Sequence, residues 1–211
     1  TLKAPGFVSR EYVEGRRVKY LNPLSLFFVL NLVYFFFPVI QLFNASLKTQ
    51  LYSPLGRLYS KIIALREAKM GIDLSGFSLI YDLKTVGLAK LMVMIFVVLG
   101  SLPLNLLYLR RNRFFTDHID YMVELACFNL FVNAIVLSII ATLGIGAYLN
   151  EITLTGIFIS TNLYFLIRSG AVFYHEKGWQ LVVKSMAMVL FLKIALELYR
   201  AILFFVTVWS L

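Results

Sequence analysis

Three ionisable residues inside an apolar stretch, Lys193, Glu197 and Arg200, are the first candidates for chemistry in this chain. Their spacing of four and then three positions places them on one face of a helix. The surrounding segment, LVVKSMAMVLFLKIALELYRAILFFVTVWSL at 181–211, is longer than the roughly 20 apolar residues that cross a bilayer. An isolated charge in mid-membrane costs about 2.5–3.5 kcal/mol, so this face is expected to turn into a bundle interior and find partners there. Glu197 can serve one of the two cations. The other wants an anion: Glu124, Glu151, a carboxylate from a partner chain, a lipid phosphate or a transported anion. Such a cluster serves either as an ion network that fixes helix register or as a site for an anionic solute or lipid.

Other polar residues fall within apolar runs. Asn31 lies near the centre of the first one, where an asparagine most often hydrogen-bonds between helices. Asn129 and Asn133, four apart, share a helix face. Glu124 enters the same helix near its start, after Asp117, His118 and Asp120, and Arg168 lies deep enough in the next apolar run either to snorkel outward or to pair with it. The four acidic and histidine residues also suit a plain exposed helix start, with Glu124 the member expected to turn inward. His118 and His175 lie in different connections without ligand spacing and are expected to be solvated or interfacial.

Enzymatic motifs are missing from the sequence. It contains no helical His-Glu-x-x-His, no Gly-x-Ser-x-Gly elbow, no phosphate loop and no dinucleotide fingerprint. Cys127 is the single cysteine, which rules out an intrachain disulfide and a tetrathiolate zinc site. No cofactor, metal or catalytic residue is expected.

The elements that must carry these residues follow from composition. Of 211 residues 60% are hydrophobic and 15% charged, with mean hydropathy +0.82. Soluble domains average about 45–50% apolar and 25% charged, so an all-α polytopic membrane bundle is expected. The formal net charge of +9 then belongs with cytoplasmic loops and anionic headgroups, and nucleic acid is not an expected partner.

About five membrane spans are expected, at 23–43, 86–109, 121–148, 153–174 and 181–211. Pro23 suits a helix start and Pro38 a kink; Gln41 lies toward the outer edge of that span, and Pro103 is placed to bend the second. Residues 1–22, with Lys3, Arg10, Arg16, Arg17 and Lys19, form a cytoplasmic lead-in without the apolar centre of a signal peptide. The arginines Arg110, Arg111 and Arg113 mark a cytoplasmic turn, as do Lys177 and Lys184, while Gly144, Gly146 and Asn150 mark an outer one. Between the first two spans, 44–85 is expected to be a long outer loop. It holds an amphipathic helix at 54–70 and then irregular chain through IDLSGFSLIYDLKT.

Three stretches carry a resemblance: PGFVSREYVEGRRVKYLNPLSLFF (5–28), the arginine cluster leading to YMVELACFNLF (121–131), and LYRAILFFVT (198–207). Together they resemble an uncharacterised family of polytopic bacterial inner-membrane proteins, a domain of unknown function. The resemblance implies a multi-pass inner-membrane protein without an agreed activity. Its members often carry an amino-terminal zinc ribbon, whose cysteines this sequence lacks. Where the family pattern implies Glu-His, the chain has Glu124 followed by Leu125, so no catalytic residue carries over.

Two functions remain in view from the sequence. One is a small bundle, oligomeric, that binds or moves an anionic solute or lipid around Lys193, Glu197 and Arg200. The other is a non-enzymatic accessory subunit held to a larger membrane complex by those charges. Either way the amino terminus is expected in the cytoplasm, with the bilayer, anionic lipid and a homo-oligomer or membrane-protein partner as its surroundings.

Overall fold

The computed structural model describes residues 4–16, 22–36, 43–144 and 151–211. The expectations placed on Lys3, Arg17, Lys19, Pro38, Gln41, Gly146 and Asn150, and on the side chain of Glu151, lie outside the described residues. Among the described residues every regular element is helical: α1 Phe7–Val13, α2 Pro23–Phe36, α3 Leu47–Leu51, α4 Gly56–Met70, α5 Leu74–Leu107, α6 Phe115–Asn129, α7 Leu137–Thr142, α8 Glu151–Phe173 and α9 Trp179–Trp209. A 3₁₀ turn, Leu109–Arg111, follows α5, and a π-helical segment, Leu130–Val136, joins α6 to α7.

Among the described residues, three helical runs are long and apolar enough to cross a membrane: Leu74–Leu107, Phe115–Thr142 and Ile152–Phe173. They occupy the second, third and fourth expected spans. Pro23–Tyr34 is apolar but shorter. The helix α9 runs for 31 residues with Lys193, Glu197 and Arg200 along it.

The chain divides into two compact units, Thr1–Ile40 with Ile95–Ala195, and Gln41–Met94 with Leu196–Leu211. In the first unit α6 is central, packed by α1, α2 and α8. Every side chain from Tyr121 to Asn129 is buried, the polar Glu124 and Asn129 included. Close approach is built in by small residues. A Cβ on Gly100 would stand 2.5 Å from the Met122 methyl carbon, and one on Gly170 would stand 2.6 Å from Leu181 Cδ1. At one end an aromatic group seals the packing: Tyr108 and Tyr174 stack at 3.6 Å and 4°, and Tyr121 and Phe173 close on Tyr174.

In the second unit the expected irregular chain at 72–85 is instead the beginning of α5. Asp73 caps it, its carboxylate accepting from Gly76 N at 3.1 Å and Ser75 Oγ at 2.6 Å. These bonds favour the charged form and hold the Asp73 carboxyl below its ordinary pKa. Phe77, Tyr81, Thr85 and Ala89 recur every fourth residue on the buried face. The segment read as aperiodic because this narrow face is flanked by exposed leucines, Leu74, Leu79 and Leu83. The helix expected at 54–70 is α4, Gly56–Met70, and the short helix α3 precedes it. Leu47, Tyr59 and Ile63 from α3 and α4 join Phe77, Tyr81, Phe204 and Val208 in one core, with Tyr59 stacked on Phe204 at 4.0 Å.

Candidate functional site

Sequence reasoning centred the chemistry on Lys193, Glu197 and Arg200, which lie along α9 with unequal exposure. Lys193 is exposed, on a face it shares with the exposed Met186, Leu190 and Ile194, while Glu197 and Arg200 are half-buried. Glu197 and Arg200 approach each other at 3.8 Å, a contact along the helix. The spacing correctly gives a shared face but does not say what covers it.

The enclosed ionisable group is Glu124, 1% exposed. Its Oε1 accepts from Gly6 N at 2.9 Å, and its Oε2 accepts from Ser9 N at 2.9 Å and Ser9 Oγ at 2.5 Å. These donors are the first turn of α1, whose cap, Gly6, has no side chain to offer. A carboxylate from α6 does what an aspartate or serine cap does locally, with a charge suited to the positive helix end. All three partners donate, so an ionised carboxylate satisfies them without a clash of protons. Of the two expectations for Arg168, snorkelling outward or pairing with Glu124, its exposure on α8 fits the first, and the Glu124 oxygens are taken by Gly6 and Ser9.

Gly6 fits this position for two reasons. Its φ is +79°, and a Cβ there would lie 2.8 Å from Ser169 Cβ and 2.9 Å from Ser169 O. Ser169 in turn donates to Phe165 O at 2.6 Å. Its hydroxyl proton being used, it accepts from Tyr121 Oη at 2.5 Å. Together, Ser9, Glu124, Tyr121 and Ser169 form a sealed polar patch that pins α1 to α6 and α8. The charges around α1 are also ordered: Glu11 accepts from Arg16 Nε and Nη2 at 2.6 Å each, and Arg16 also reaches Glu14. Arg16 holds the Glu11 carboxyl below its ordinary value.

Asn129 and Asn133 meet as expected, and α8 supplies the partners that sequence reasoning missed. Asn129 exchanges bonds with Asn162, Nδ2 to Oδ1 at 2.8 Å and the reverse at 2.9 Å, and accepts from Asn133 at 2.8 Å. Asn133 donates to Thr161 Oγ1 at 3.0 Å. The π-helical segment begins at the next residue, Leu130, a distortion often found where a helix carries a special packing demand. Asn31 is half-buried on α2.

His118 is buried, not solvated: its Nδ1 lies 2.8 Å from Tyr174 Oη, inside the aromatic group. Its partner lies 56 positions on, out of reach of any local spacing rule. His175 is exposed, as expected.

A second carboxylate, Glu176, lies in the α8–α9 turn with 2% of its side chain exposed. One oxygen, Oε2, lies 3.1 Å from Arg111 Nη2, 3.3 Å from Arg111 Nε and 2.9 Å from Lys184 Nζ. Burial pushes the Glu176 carboxyl up, but the bonds and charges of Lys184 and Arg111 outweigh it and leave it below its ordinary value. Lys184 Nζ also stands 4.6 Å above the Tyr108 ring. The sequence offered only an acidic residue between basic ones in a turn, and gave no sign that it would be buried. Among the described residues no group of three or more His, Cys, Asp or Glu side chains is placed to hold a metal.

Residues 2–35 match the model of a family described as a protein of unknown function (DUF3667), which fits the uncharacterised family expected from the sequence. The matched segment spans α1 and nearly all of α2, and it contains Gly6 and Ser9, the partners of Glu124. No curated protein and no solved structure matches the chain.

Proposed function

We propose that this is a multi-pass protein of the bacterial inner membrane, amino terminus in the cytoplasm, that acts as a non-enzymatic accessory subunit of a larger membrane assembly. Five crossings are read as the three long apolar runs together with α2 and α9. The orientation is supported by where basic residues gather. Bonds from Gly6 and Ser9 to Asp120 and Glu124 put α1, with Arg10 and Arg16, beside the start of α6. Arg110, Arg111 and Arg113 precede that start directly, and positive loops favour the cytoplasm.

One observation carries the accessory role: the side chain of Lys193 is exposed within an apolar face of α9 made by Met186, Leu190 and Ile194. Whatever contact Lys193 makes within the chain, acyl chains on that face would penalise its charge by about 2.5–3.5 kcal/mol. A partner helix lying on this face covers the exposed apolar residues and keeps acyl chains off the Lys193 ammonium. In contrast, Glu124, Asn129 and Asn133 are committed to internal bonds, which suits a framework.

A second reading keeps the same face for an anionic solute or lipid drawn to Lys193, Glu197 and Arg200. The two separate on Lys193→Met in native membranes and in reconstituted vesicles. Under the accessory reading the variant folds and loses its partner on a native gel. Under the second it keeps any complex and loses anion flux or bound anionic lipid. If assembly, flux and lipid content all stay unchanged, neither reading stands.

A further inference from the structure

Between the 3₁₀ turn after α5 and the first turns of α9, within the first unit, lies a recess of about 660 Å³. Arg110, Arg111, Lys184, Glu176, Trp179 and Gln180 line it. Three cations face one carboxylate there, so the recess keeps a surplus of positive charge. Glu176 does not cancel this surplus; it organises it. By holding Arg111 and Lys184 through a single oxygen, it fixes two long side chains whose ordering would otherwise count against any ligand. The Arg111 side chain is still 40% exposed, and Arg110 is exposed beside it.

Guanidinium groups match phosphate oxygens as forks, and an ammonium adds a point charge. The first turn of α9, a 31-residue helix, adds N–H groups that its own helix cannot satisfy. Resting on the multi-pass reading, the surroundings set the level at which the recess opens. Leu109, Phe114 and Trp179 are 64%, 79% and 77% exposed at the ends of long apolar helices. Such a belt belongs where acyl chains meet headgroups. Phosphates of the bilayer lie at that depth.

We propose that this recess binds a phosphate-bearing group, with the Arg110 and Arg111 guanidinium groups and the Lys184 ammonium as its partners and Glu176 as the residue that positions Arg111 and Lys184. The site rests on none of the features that carry the accessory role, and Lys193→Met leaves it intact.

The test uses the full chain in a neutral detergent and native mass spectrometry with three probes: dihexanoyl phosphatidate, inorganic phosphate and dihexanoyl phosphatidylcholine. Phosphatidate is expected to bind saturably and better than phosphatidylcholine, and Arg110→Gln is expected to weaken it about tenfold, the loss of one charge-assisted bond. Arg110 holds no part of Glu176, so this variant keeps the fold; its melting temperature checks that. Competition by inorganic phosphate identifies a free anion as sufficient, whereas binding of phosphatidate alone identifies a lipid headgroup. Binding of neither anionic probe overturns the proposal, as do equal binding of phosphatidylcholine and unchanged affinity in Arg110→Gln.

Discussion

Glu124 and Ser9 lie 115 positions apart and meet at 2.5 Å, hydroxyl to carboxylate, with both side chains sealed from solvent. The contact joins the seven-residue helix α1 to α6, whose side chains from Tyr121 to Asn129 are all buried. A helix of that length has little stability of its own. Its place therefore depends on what the carboxylate supplies.

Glu124→Leu is expected to release α1. The substitution leaves the Gly6 and Ser9 N–H groups without an acceptor, at about 1–3 kcal/mol for each buried donor. Hydrogen exchange and proteolysis should rise at residues 7–13 while α6 and α8 stay protected. Ser9→Ala, which removes one donor and leaves the carboxylate two others, should cost about 1–2 kcal/mol. Equal protection of α1 in wild type and Glu124→Leu would show that α1 is held by apolar packing alone.

Gly6→Ala tests the same junction from the backbone side. The methyl would meet Ser169 backbone and Cβ within 3 Å at a φ of +79°, and a positive φ alone costs a side chain about 1 kcal/mol. With overpacking of about 1–3 kcal/mol, the variant should melt lower than Gly15→Ala. Gly15 also has positive φ, +86°, but nothing lies within 4 Å of its Cβ position. The difference between the two melting temperatures isolates the contact with Ser169.

Much of the helical layout was legible because length and apolarity alone define a membrane-scale helix, and the runs at α5, α6 and α8 meet both. Glu124 was legible as inward because a carboxylate within such a run needs partners. The identity of those partners was not, since Gly6 and Ser9 lie in a polar lead-in with no periodic signal. Lys193 shows the opposite limit: periodicity placed it on a face, but burial depends on neighbours that a single helix does not encode. Glu176 was hidden by its setting, as charges in turns are usually solvated and only the tertiary fold brings Arg111 and Lys184 onto one oxygen. The stretch at 72–85 failed as a loop because a four-residue repeat one residue wide, Phe77, Tyr81, Thr85 and Ala89, is too narrow to stand out among exposed leucines.

The asparagine cluster predicts a ranking. Asn129 Oδ1 accepts from both Asn133 and Asn162, and its amide donates to Asn162 and to Leu125 O. Asn133 makes one bond fewer, one to Asn129 and two with Thr161, so Asn129→Leu should destabilise more than Asn133→Leu by about 0.6 kcal/mol, the average of a membrane hydrogen bond between side chains. The pair Asn129→Leu with Asn162→Leu should cost less than the sum of the single changes, because each single change strands the other amide. Unfolding in mixed micelles measures all of these, and simple additivity would mean the cluster is not coupled.

Acid should loosen the α8–α9 turn through Glu176. Its folded pKa lies below the ordinary 4.5, so the unfolded chain binds this proton more readily than the folded one. The carboxylate therefore stabilises the fold above about 4.5, and that contribution is lost as pH falls through the lower folded value. Glu176→Gln should remove this part of the acid sensitivity and lower stability at neutral pH, where Arg111 and Lys184 would face each other without a counter-charge. The Tyr108 and Tyr174 rings stacked beside this turn offer a readout: tyrosine fluorescence and near-ultraviolet dichroism followed from pH 7 down to about 3. Wild type and Glu176→Gln should diverge at neutral pH and converge at the acid end. Parallel curves over the whole range would place the acid-sensitive carboxylate elsewhere.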